Sequence, residues 1–445
     1  GTSGTATKSA TRGNSLTPEF RIDPVTGQLT TQPGQVVSPS SCLGCWTQCG
    51  VRVRVDTQKG EIIRIAGNPY HPLATTNAAP MATPVREVYA MLGGDNGLEG
   101  RATSCARGSA MLEHQTSPYR VRTPLKRVGP RGSGQWQSIS FEQLIQEVCH
   151  GGDLFGKDEM ANRDGEPVDL ECAEDFYVRG ISNIAYQAGR PVPEASDDDI
   201  EITGLSRWMP EVQKRLKDEE VRRVAMVMSR GGRFDTVDES WKDDHIKAAY
   251  KFPVQIWHEG LAKMRHSMTG ERYAGCPTWF PTRFADGSSM REHYPESEWP
   301  LTMSSYKSNL MSSMSIGVKR LRQVHPHNPI SLHKEDAARF GIANGDAIEV
   351  STPGAKVQGV ALVRSGVARG TVAIEYGYGH RQLGAVAHLI DGKPTAHNPQ
   401  HGQGVNLNAL GFTDPTRPEQ DNVWIDWVSG AVVRQGLPVR VRKLA

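Results

Sequence analysis

The chain has 445 residues, enough for roughly two to four domains. Hydrophobic residues make up 37% of the sequence, charged residues make up 22%, and the net charge is +2. This composition is that of a globular protein, and it excludes a strong general attraction to nucleic acid or to an anionic membrane surface. No run of about 18 apolar residues occurs, so we expect no membrane-spanning helix.

The first part of the chain is polar and then turns into strands. Residues 1–35 are rich in Thr, Ser, Gly and Pro and predict an extended arm with little core of its own. From residue 51 the runs VRVRVD and EIIRIAG alternate and predict two short strands joined by a turn at 58–60. Such a hairpin can fold back over the cysteines that precede it. A loop-rich tract follows from Asn68 to Arg101.

The next segments alternate between turns and helices. Residues 117–136 are dense in turn residues, and ISFEQLIQEVCHGGDLF has the apolar spacing of an amphipathic helix. The polar stretch 156–169 lacks any periodicity and separates two dissimilar regions. After it we predict helices over Ala173–Ala188 and Gly204–Leu216, and a strand in VAMVMSRGGRF.

From about residue 300 the pattern becomes that of a β domain. The runs AIEVSTPG, VQGVALVRSGV and GTVAIEYGYG predict short strands. DAARFGIANGD predicts a helix that leads into a tight turn at Asn344-Gly345. Together these elements predict a compact β-barrel domain of about 130 residues.

The cysteines carry the clearest chemical signal. Four of the seven have a spacing typical of a metal centre, three within eight residues and one after 55 intervening residues: Cys42, Cys45, Cys49 and Cys105. This arrangement favours a [4Fe-4S] cluster, in which one loop holds three corners and a second loop closes the fourth. A zinc site, which more often has two close pairs of ligands, and unrelated core thiols remain the alternatives. No role is assigned to Cys149, Cys172 and Cys276.

Arg107 follows the fourth cysteine by two residues. A cation at this distance from a cluster ligand can stabilise the reduced cluster and interact with an anionic neighbour. A solvent-facing arginine is the alternative that this spacing leaves open.

Several longer motifs resemble one enzyme family. They are SCLGCWTQCG, GNPYHPLAT, QTSPYRVRTPLKRVGPRGSGQW, ESEWPLTMSSYKSNLMSSMSIGVKRLRQVHPHNPI, AIEYGYGHRQLGA, GVNLNALGFTDPTR and WVSGAVVRQGLP. On these motifs the chain is similar to the dimethyl sulfoxide reductase family of molybdopterin oxidoreductases. CLGCWTQC and YKSNLMSSMS are similar to the branch of that family whose catalytic subunits reduce tetrathionate.

The resemblance implies a mixed α/β, multidomain fold of the dimethyl sulfoxide reductase type. Four regions follow from it: the N-terminal arm (1–35), an iron-sulfur cluster domain (36–156), a helical and loop segment of the molybdopterin-binding body (157–298), and a C-terminal double-psi β-barrel domain that binds the molybdopterin dinucleotide (299–445).

The resemblance also implies two cofactors, a [4Fe-4S] cluster and molybdenum held by bis(molybdopterin guanine dinucleotide). It makes the four cysteines cluster ligands and places Arg107 as an electron relay between the cluster and a pterin. It assigns cofactor contacts to Ser305, Tyr306, Lys307, Ser308, Asn309, Met311, Ser312, His325, Asn328, Tyr376, Gly377, Tyr378, His380, Asn406 and Asn408. Hydroxyl and amide groups suit pyrophosphate and pterin edges, and glycine lets the backbone approach them.

The chain is much shorter than the members of this family. The sequence lacks the two central α/β domains expected near Gly156–Lys157. That region would also supply the cysteine that binds molybdenum, so the chain offers no candidate for this ligand. Either the protein is internally deleted, or the sequence joins two pieces of a longer polypeptide whose ends lie far apart. Burial favours the second, because elements that pack on central domains would otherwise expose large apolar patches.

The activity implied is the two-electron reduction of tetrathionate to thiosulfate in the periplasm or on the outer face of the cytoplasmic membrane. Implied partners are a membrane quinol-oxidising subunit together with an iron-sulfur electron-transfer subunit, following export by the twin-arginine route. Alternatives are reduction of arsenate, selenate, polysulfide or thiosulfate, or a non-catalytic electron-transfer remnant. Conceivable contacts to an anionic substrate are Lys126, Arg127, Arg131 and Arg320.

Overall fold

A computed structural model describes residues 19–22, 25–26, 29–90, 102–154, 158–159, 192–235, 240–246, 256–417 and 423–445. Most of the predicted arm, the predicted helix Ala173–Ala188, Cys172 and the Gly156–Lys157 junction lie outside these residues. The chain forms two compact units: unit 1 comprises residues 1–247 and 387–397, and unit 2 comprises residues 248–386 and 398–445. These two units are defined by which residues pack together and not by the domain boundaries of the family. The four domains predicted from the resemblance therefore stay predictions.

Unit 1 is built from short strands and helices. Its strands are Phe20–Ile22, Leu29–Thr31, Gln35–Ser41, Gly50–Asp56, Glu61–Gly67, Leu125–Arg127, Gln135–Ser138, Asp153–Leu154, Asp158–Glu159, Trp241–Lys242, His245–Ile246, Leu389–Ile390 and Lys393–Pro394. Its helices are Val85–Ala90, Ala106–Ala110, Phe141–His150, Asp197–Ile202, Met209–Val212 and Asp218–Arg230, with 3-10 turns at Met111–His114 and Leu205–Trp208.

The central element of unit 1 is an antiparallel sheet of three strands, Gln35–Ser41, Gly50–Asp56 and Glu61–Gly67, in that order. The last two are the predicted hairpin, which the structure confirms. A second sheet pairs Leu125–Arg127 with Gln135–Ser138 and adds the two short strands from residues 389–394.

Two apolar clusters form the interior of unit 1. One packs the sheet against the helix Val85–Ala90 and includes Val37, Tyr70, Val85 and Val88. The other surrounds the helix Asp218–Arg230, whose Val221, Val224 and Ala225 are buried at helical spacing.

The end of the helix Asp218–Arg230 is held by a buried ion pair. The guanidinium of Arg230 contacts the carboxylate of Asp199, and both side chains are about 1–2% exposed. Arg230 also donates to the carbonyls of Met81 and Thr83 at 3.1 Å each, and it lies 4.3 Å from the ring centroid of Tyr70. Residues after the composition break therefore belong to the same packed unit as residues before it.

One prediction for unit 1 is corrected by the structure. The run VAMVMSRGGRF predicts a strand, but most of it lies in the helix Asp218–Arg230. The acidic first turn, Asp218 to Glu220, and Gly231 after the last turn are the helix signals that outweigh the short apolar run. Within the predicted arm, Phe20–Ile22 and Leu29–Thr31 pair as antiparallel strands, and the arm as a whole stays a prediction.

Unit 2 contains a closed β-barrel, as the sequence predicts. The barrel order is Leu301–Tyr306, Thr371–Glu375, Ile330–His333, Lys356–Arg364, Ala347–Ser351 and Leu437–Lys443, with the last strand pairing back to the first. Inward residues such as Leu301, Ile330 and Val372 are fully buried. Helices at Glu259–Lys263, Met290–His293, Lys319–Val324 and Lys334–Arg339 and 3-10 turns at Pro399–Gly402 and Leu407–Leu410 complete the unit.

Strand directions bring several loops to one end of the barrel. Leu301–Tyr306 runs parallel to Thr371–Glu375, with Tyr306 opposite Glu375, so both strands end at the same edge. Ile330–His333 runs antiparallel to Thr371–Glu375, with Ile330 opposite Ile374, and therefore starts at that edge. The loops after residues 306 and 375 and the segment before residue 330 meet there. We call this end the barrel rim.

Among the residues that the structure describes, every helix is too short or too polar to cross a lipid bilayer.

Candidate functional site: a cysteine cluster and a barrel rim

Three of the predicted cluster ligands lie in one closed hairpin loop. The strands Gln35–Ser41 and Gly50–Asp56 pair up to Ser41 opposite Gly50. Beyond them the amide of Cys42 donates to the carbonyl of Cys49 at 2.9 Å. This bond closes the loop at its base, so Cys42, Cys45 and Cys49 are presented on a single short turn.

The fourth cysteine begins a helix that is attached to the same sheet. Cys105 is the N-cap of Ala106–Ala110, and its sulfur accepts from the amide of Gly108 at 3.5 Å. The preceding Ser104 donates to the carbonyl of Ile65 at 3.4 Å, and a Cβ on Gly67 would lie 2.6 Å from the carbonyl oxygen of Thr103. The end of the third strand thus fixes the segment that carries Cys105.

Two glycines allow the cysteine loops to approach each other. A Cβ on Gly108 would lie 3.3 Å from the sulfur of Cys42, and a Cβ on Gly44 would lie 3.4 Å from Cγ and Cδ of Arg107. Gly108 also donates to Cys105, so the sulfurs of Cys42 and Cys105 flank it. The structure therefore brings together the cysteines that the sequence predicts as ligands.

Electrostatics supports this grouping. Burial raises the pKa of the Cys42 and Cys49 thiols, and repulsion from the other cysteine thiolates, including Cys105, raises both further. The pKa of Cys45 is lowered, mainly by hydrogen bonding with the side chain and backbone of Thr47 and to a smaller extent by the charge of Arg107. Arg107 is 7% exposed and lies against Gly44, so it is not the solvent-facing arginine that was the alternative. Its role as an electron relay stays a prediction.

The four thiols are free and lie at the surface of unit 1. None of them is in a disulfide, and Cys105 is exposed. Leu43 and Trp46 in the loop are 58% and 82% exposed. In the described part of the chain, no three His, Cys, Asp or Glu side chains converge at the spacing of a single metal ion. Four free thiols on two adjoining loops are the donor set of a cubane cluster, whose ligands bind four different irons.

The second candidate site is the barrel rim in unit 2, where the predicted cofactor contacts lie. Tyr306, Lys307, Asn309 and Asn408 are exposed, and Ser305, Ser308, His325, Tyr376, His380 and Asn406 are half-buried. Met311, Ser312, Asn328, Gly377 and Tyr378 are buried. The first ten are at least partly accessible to solvent, whereas the last five are buried within the loops. All of these contacts stay predictions.

Several predicted contacts already have protein partners. Asn328 is 1% exposed and donates to the carbonyls of Glu375 at 2.7 Å and Val405 at 2.9 Å. Its amide oxygen accepts from the amide of Val405 at 2.6 Å. Ser308 accepts from the amides of Leu310 and Met311. Asn328 therefore ties two rim loops together in the protein as it stands.

Arg322 is an important rim residue that the sequence prediction missed. It is 4% exposed and donates to the carbonyl of Gly377 at 3.0 Å and to those of Ile316 and Gln403 at 3.3 and 3.4 Å. Its guanidinium lies 4.6 Å from the ring centroid of Tyr378, and burial lowers its pKa. The run KRLRQV resembles an ordinary exposed helix, so no local pattern indicates that one arginine turns inward.

Glu375 was also missed. Its carboxylate is 3% exposed and lies 2.7 Å from Nε2 of His325, a predicted cofactor contact. An acidic residue at the end of the apolar strand Thr371–Glu375 was an available signal, because a buried carboxylate needs a partner. Gly404 also lies close to a rim residue. It has φ of +93°, and a Cβ added to it would lie 2.8 Å from the Cβ of Tyr378, so this position leaves no room for a side chain.

The cations predicted as substrate contacts either have a local protein partner or are exposed. Lys126 forms an ion pair with Glu147 at 2.9 Å, and Arg127 donates to the carbonyl of Gly129 at 3.0 Å. Arg131 and Arg320 are exposed. None of these observations tests a substrate role.

The described residues fit both implied cofactors. Four free thiols on two loops suit an iron-sulfur cluster. The rim presents hydroxyl, amide, imidazole and ammonium groups, which suit a dinucleotide pyrophosphate and a purine base. Nε2 of His380 is buried without a hydrogen-bond partner in the described part of the chain, which leaves one donor or acceptor for a ligand.

Two family models match the chain. The molybdopterin oxidoreductase Fe4S4 domain matches residues 35–77, which include the three-cysteine loop. The molydopterin dinucleotide binding domain matches residues 301–418, which include five of the six barrel strands and the rim. The cluster and the dinucleotide cofactor predicted from the sequence are thus supported by separate matches.

Curated relatives agree with these matches. The tetrathionate reductase A chain of Salmonella typhimurium is 44% identical over 326 residues, which are 73% of this chain and 32% of that protein. The corresponding tetrathionate reductase chain of Archaeoglobus fulgidus is 32% identical over 48% of this chain and 20% of that protein. The selenate reductase A chain of Mesobacillus selenatarsenatis is 28% identical over 62% of this chain and 28% of that protein.

The chain spans a third or less of the length of these relatives. Its two matched domains are those for a [4Fe-4S] cluster and for molybdenum bis(molybdopterin guanine dinucleotide), the two cofactors that the sequence predicts. By its cysteine loops, its dinucleotide-binding barrel and these relatives, the chain belongs to the molybdopterin-dependent oxidoreductase family.

Proposed function

We propose that this chain is part of the catalytic subunit of a respiratory reductase that reduces tetrathionate to thiosulfate. The tetrathionate dianion accepts two electrons, its central sulfur–sulfur bond breaks, and two thiosulfate dianions leave without net uptake of protons. The 44% identity with the tetrathionate reductase of Salmonella carries this proposal. Molybdenum, when bound, supplies the two-electron redox chemistry.

The geometry of the cysteine loops supports the route by which electrons would enter. The cluster ligands lie at the surface of unit 1, with Cys105 exposed, so a redox partner can approach the cluster closely. Arg107 is buried beside the same loop. We propose that its fixed charge favours the reduced cluster and lies on the path of the electron towards a pterin.

The partners and the location belong to the same proposal. Electrons would come from a membrane quinol-oxidising subunit through an iron-sulfur electron-transfer subunit. The complex would act in the periplasm or on the outer face of the cytoplasmic membrane after twin-arginine export. The net charge of +2 gives the chain no strong general attraction to nucleic acid.

Another substrate of the same chemical class is the first alternative. The selenate reductase of Mesobacillus selenatarsenatis and the molybdopterin-containing thiosulfate reductase chain of Salmonella typhimurium are also relatives, at 28% and 30% identity. Arsenate and polysulfide are further candidates. Each of these anions can be reduced at a molybdenum centre, so the substrate has to be determined by turnover.

Turnover with the native enzyme tests the proposal. The complex is purified without oxygen from its natural source, reduced viologen serves as electron donor, and tetrathionate, selenate, arsenate and thiosulfate are offered separately. We expect viologen oxidation with tetrathionate and formation of two thiosulfates per tetrathionate. Turnover of selenate or arsenate with none of tetrathionate would refute the substrate assignment.

A non-catalytic electron-transfer protein is the remaining alternative. Metal analysis of the same preparation separates it from an enzyme, because a catalytic subunit contains molybdenum and pterin as well as iron. Iron without molybdenum would contradict the proposal.

A further inference from the structure

The helix Asp218–Arg230 ends against the cysteine loop. Gly231, at the C-terminal end of this helix, has a left-handed backbone with φ of +75°. A Cβ on Gly231 would lie 3.1 Å from the Cα of Gly50, a distance shorter than normal van der Waals contact. Gly50 directly follows Cys49, so the helix end packs on the peptide that leaves a predicted cluster ligand.

Gly50 has a second close neighbour in His71. A Cβ on Gly50 would lie 2.7 Å from Cδ2 of His71. His71 is 6% exposed, and its ring packs edge-on against Phe234 at 4.7 Å between centroids. Gly50 is therefore packed closely against both His71 and Gly231.

Asn68 connects the same two elements by hydrogen bonds. Its backbone amide donates to the carbonyl of Gly50 at 3.0 Å, and its side-chain amide donates to the carbonyl of Ser229 at 2.9 Å. Asn68 is 0% exposed. Arg230, between Ser229 and Gly231, is anchored by its buried ion pair with Asp199. The helix end is thus a fixed support behind the loop.

We propose that Gly231 is a positioning residue for the iron-sulfur cluster. The lack of a side chain at this position lets the helix end pack directly on Gly50, and this contact fixes the direction in which Cys49 presents its sulfur. The inference rests on the cluster assigned to the four cysteines. It gives a cluster-related role to a segment that lies well outside the residues matched by the Fe4S4 model.

The chain offers a matched control for this contact. Gly204 has φ of +74°, nearly the same left-handed backbone conformation as Gly231, but a Cβ added there meets nothing within 4 Å. Gly231→Ala and Gly204→Ala therefore share the cost of placing alanine in a left-handed conformation. They differ in the crowding at Gly50.

The two variants are compared in the natural, cluster-loaded protein, with three measurements. These are the rate at which a chelator releases iron, the electron paramagnetic resonance spectrum of the reduced cluster, and the melting temperature. We expect Gly231→Ala to release iron roughly tenfold faster than Gly204→Ala, because crowding of this kind strains the ligand loop. The spectrum should change in Gly231→Ala and stay as in the wild type in Gly204→Ala.

A second pair covers the case in which Gly231→Ala does not fold. Asparagine tolerates the left-handed backbone, so Gly231→Asn and Gly204→Asn reduce the backbone strain and retain the difference in crowding. Equal iron release and equal spectra within a pair, with the cluster present, would overturn the positioning role and leave the proposed function untouched. A wild-type protein without an iron-sulfur spectrum would overturn both.

Discussion

Replacing Asp199 by alanine removes the carboxylate that faces Arg230 in the interior of unit 1. The two side chains are 2% and 1% exposed, and Ser229 also donates to the carboxylate of Asp199 at 3.0 Å. After the substitution Arg230 keeps its hydrogen bonds to two backbone carbonyls. Its positive charge then lies in a water-poor region without a counter-charge.

The size of the effect follows from this burial. Removing one partner of a buried ion pair costs about 3–5 kcal/mol, because the remaining charge stays desolvated. For a unit of this size the melting temperature falls by about 2–4 °C per kcal/mol. We therefore expect a decrease of roughly 6–20 °C.

Asp197 provides the control, because it lies in the same short helix, Asp197–Ile202. It pairs with Arg222 at 3.0 Å, but its side chain is 93% exposed. Exposed pairs contribute little, so Asp197→Ala should melt like the wild type. Thermal unfolding followed by circular dichroism of the native protein and both variants makes the comparison.

The double variant Asp199→Ala/Arg230→Met makes the test decisive. If the uncompensated charge causes the loss, removing both charges should recover much of the stability, since apolar side chains of similar volume are tolerated at such sites. Equal melting temperatures for Asp199→Ala and Asp197→Ala would refute the reasoning. So would a double variant that is less stable than Asp199→Ala.

Three other predictions follow from single contacts. Glu19 has a pKa below its ordinary value of 4.5, because its buried ion pair with Arg52 outweighs the opposing effect of burial. The stabilisation by this ion pair is therefore present above about pH 4.5 and is lost as the pH falls. Glu19→Gln should therefore lower stability at pH 7 and make less difference in acid, as measured by urea unfolding at several pH values. Cys49→Ser should lower the iron content of the purified protein and Cys276→Ser should not, which metal analysis decides. Gly404→Ala should lower the free energy of unfolding by about 2–4 kcal/mol, through crowding and backbone strain. In Gly370→Ala nothing lies within 4 Å of the added Cβ, so only the backbone strain should lower it. Equal losses for the two variants in chemical unfolding would contradict this prediction.

The barrel and the hairpin could be predicted because their signals are local. The runs VRVRVD and AIEVS have the residue alternation of strands, and turn residues at 58–60 and 344–345 mark where the chain reverses. The alternation does not identify the buried face, because Arg52, Arg54 and Glu349 are 4%, 1% and 4% exposed. The helix Asp218–Arg230 is not evident from the apolar run VAMVM alone, because its clearest signal is the acidic turn before that run. A short apolar run fits a strand and a helix equally well.

The candidate sites could be predicted only in part. Cysteine spacing identifies the four thiols, because few side chains other than cysteine suit an iron-sulfur centre. The packing of Gly231 on Gly50 joins residues more than 180 positions apart, and no local pattern reports such a contact. Arg322 was missed for a related reason, since its burial depends on carbonyl groups from three separate loops.

The amide of Asn328 has a consequence for how the protein matures. This side chain completes backbone hydrogen bonds between the segments at Glu375 and Val405 as a neighbouring strand would. Because these bonds join protein groups only, they should hold the two loops in place before a cofactor binds. Cofactor binding would then require little further ordering of these loops. The conformational entropy of the loops is lost during folding, so it does not weaken the later binding step.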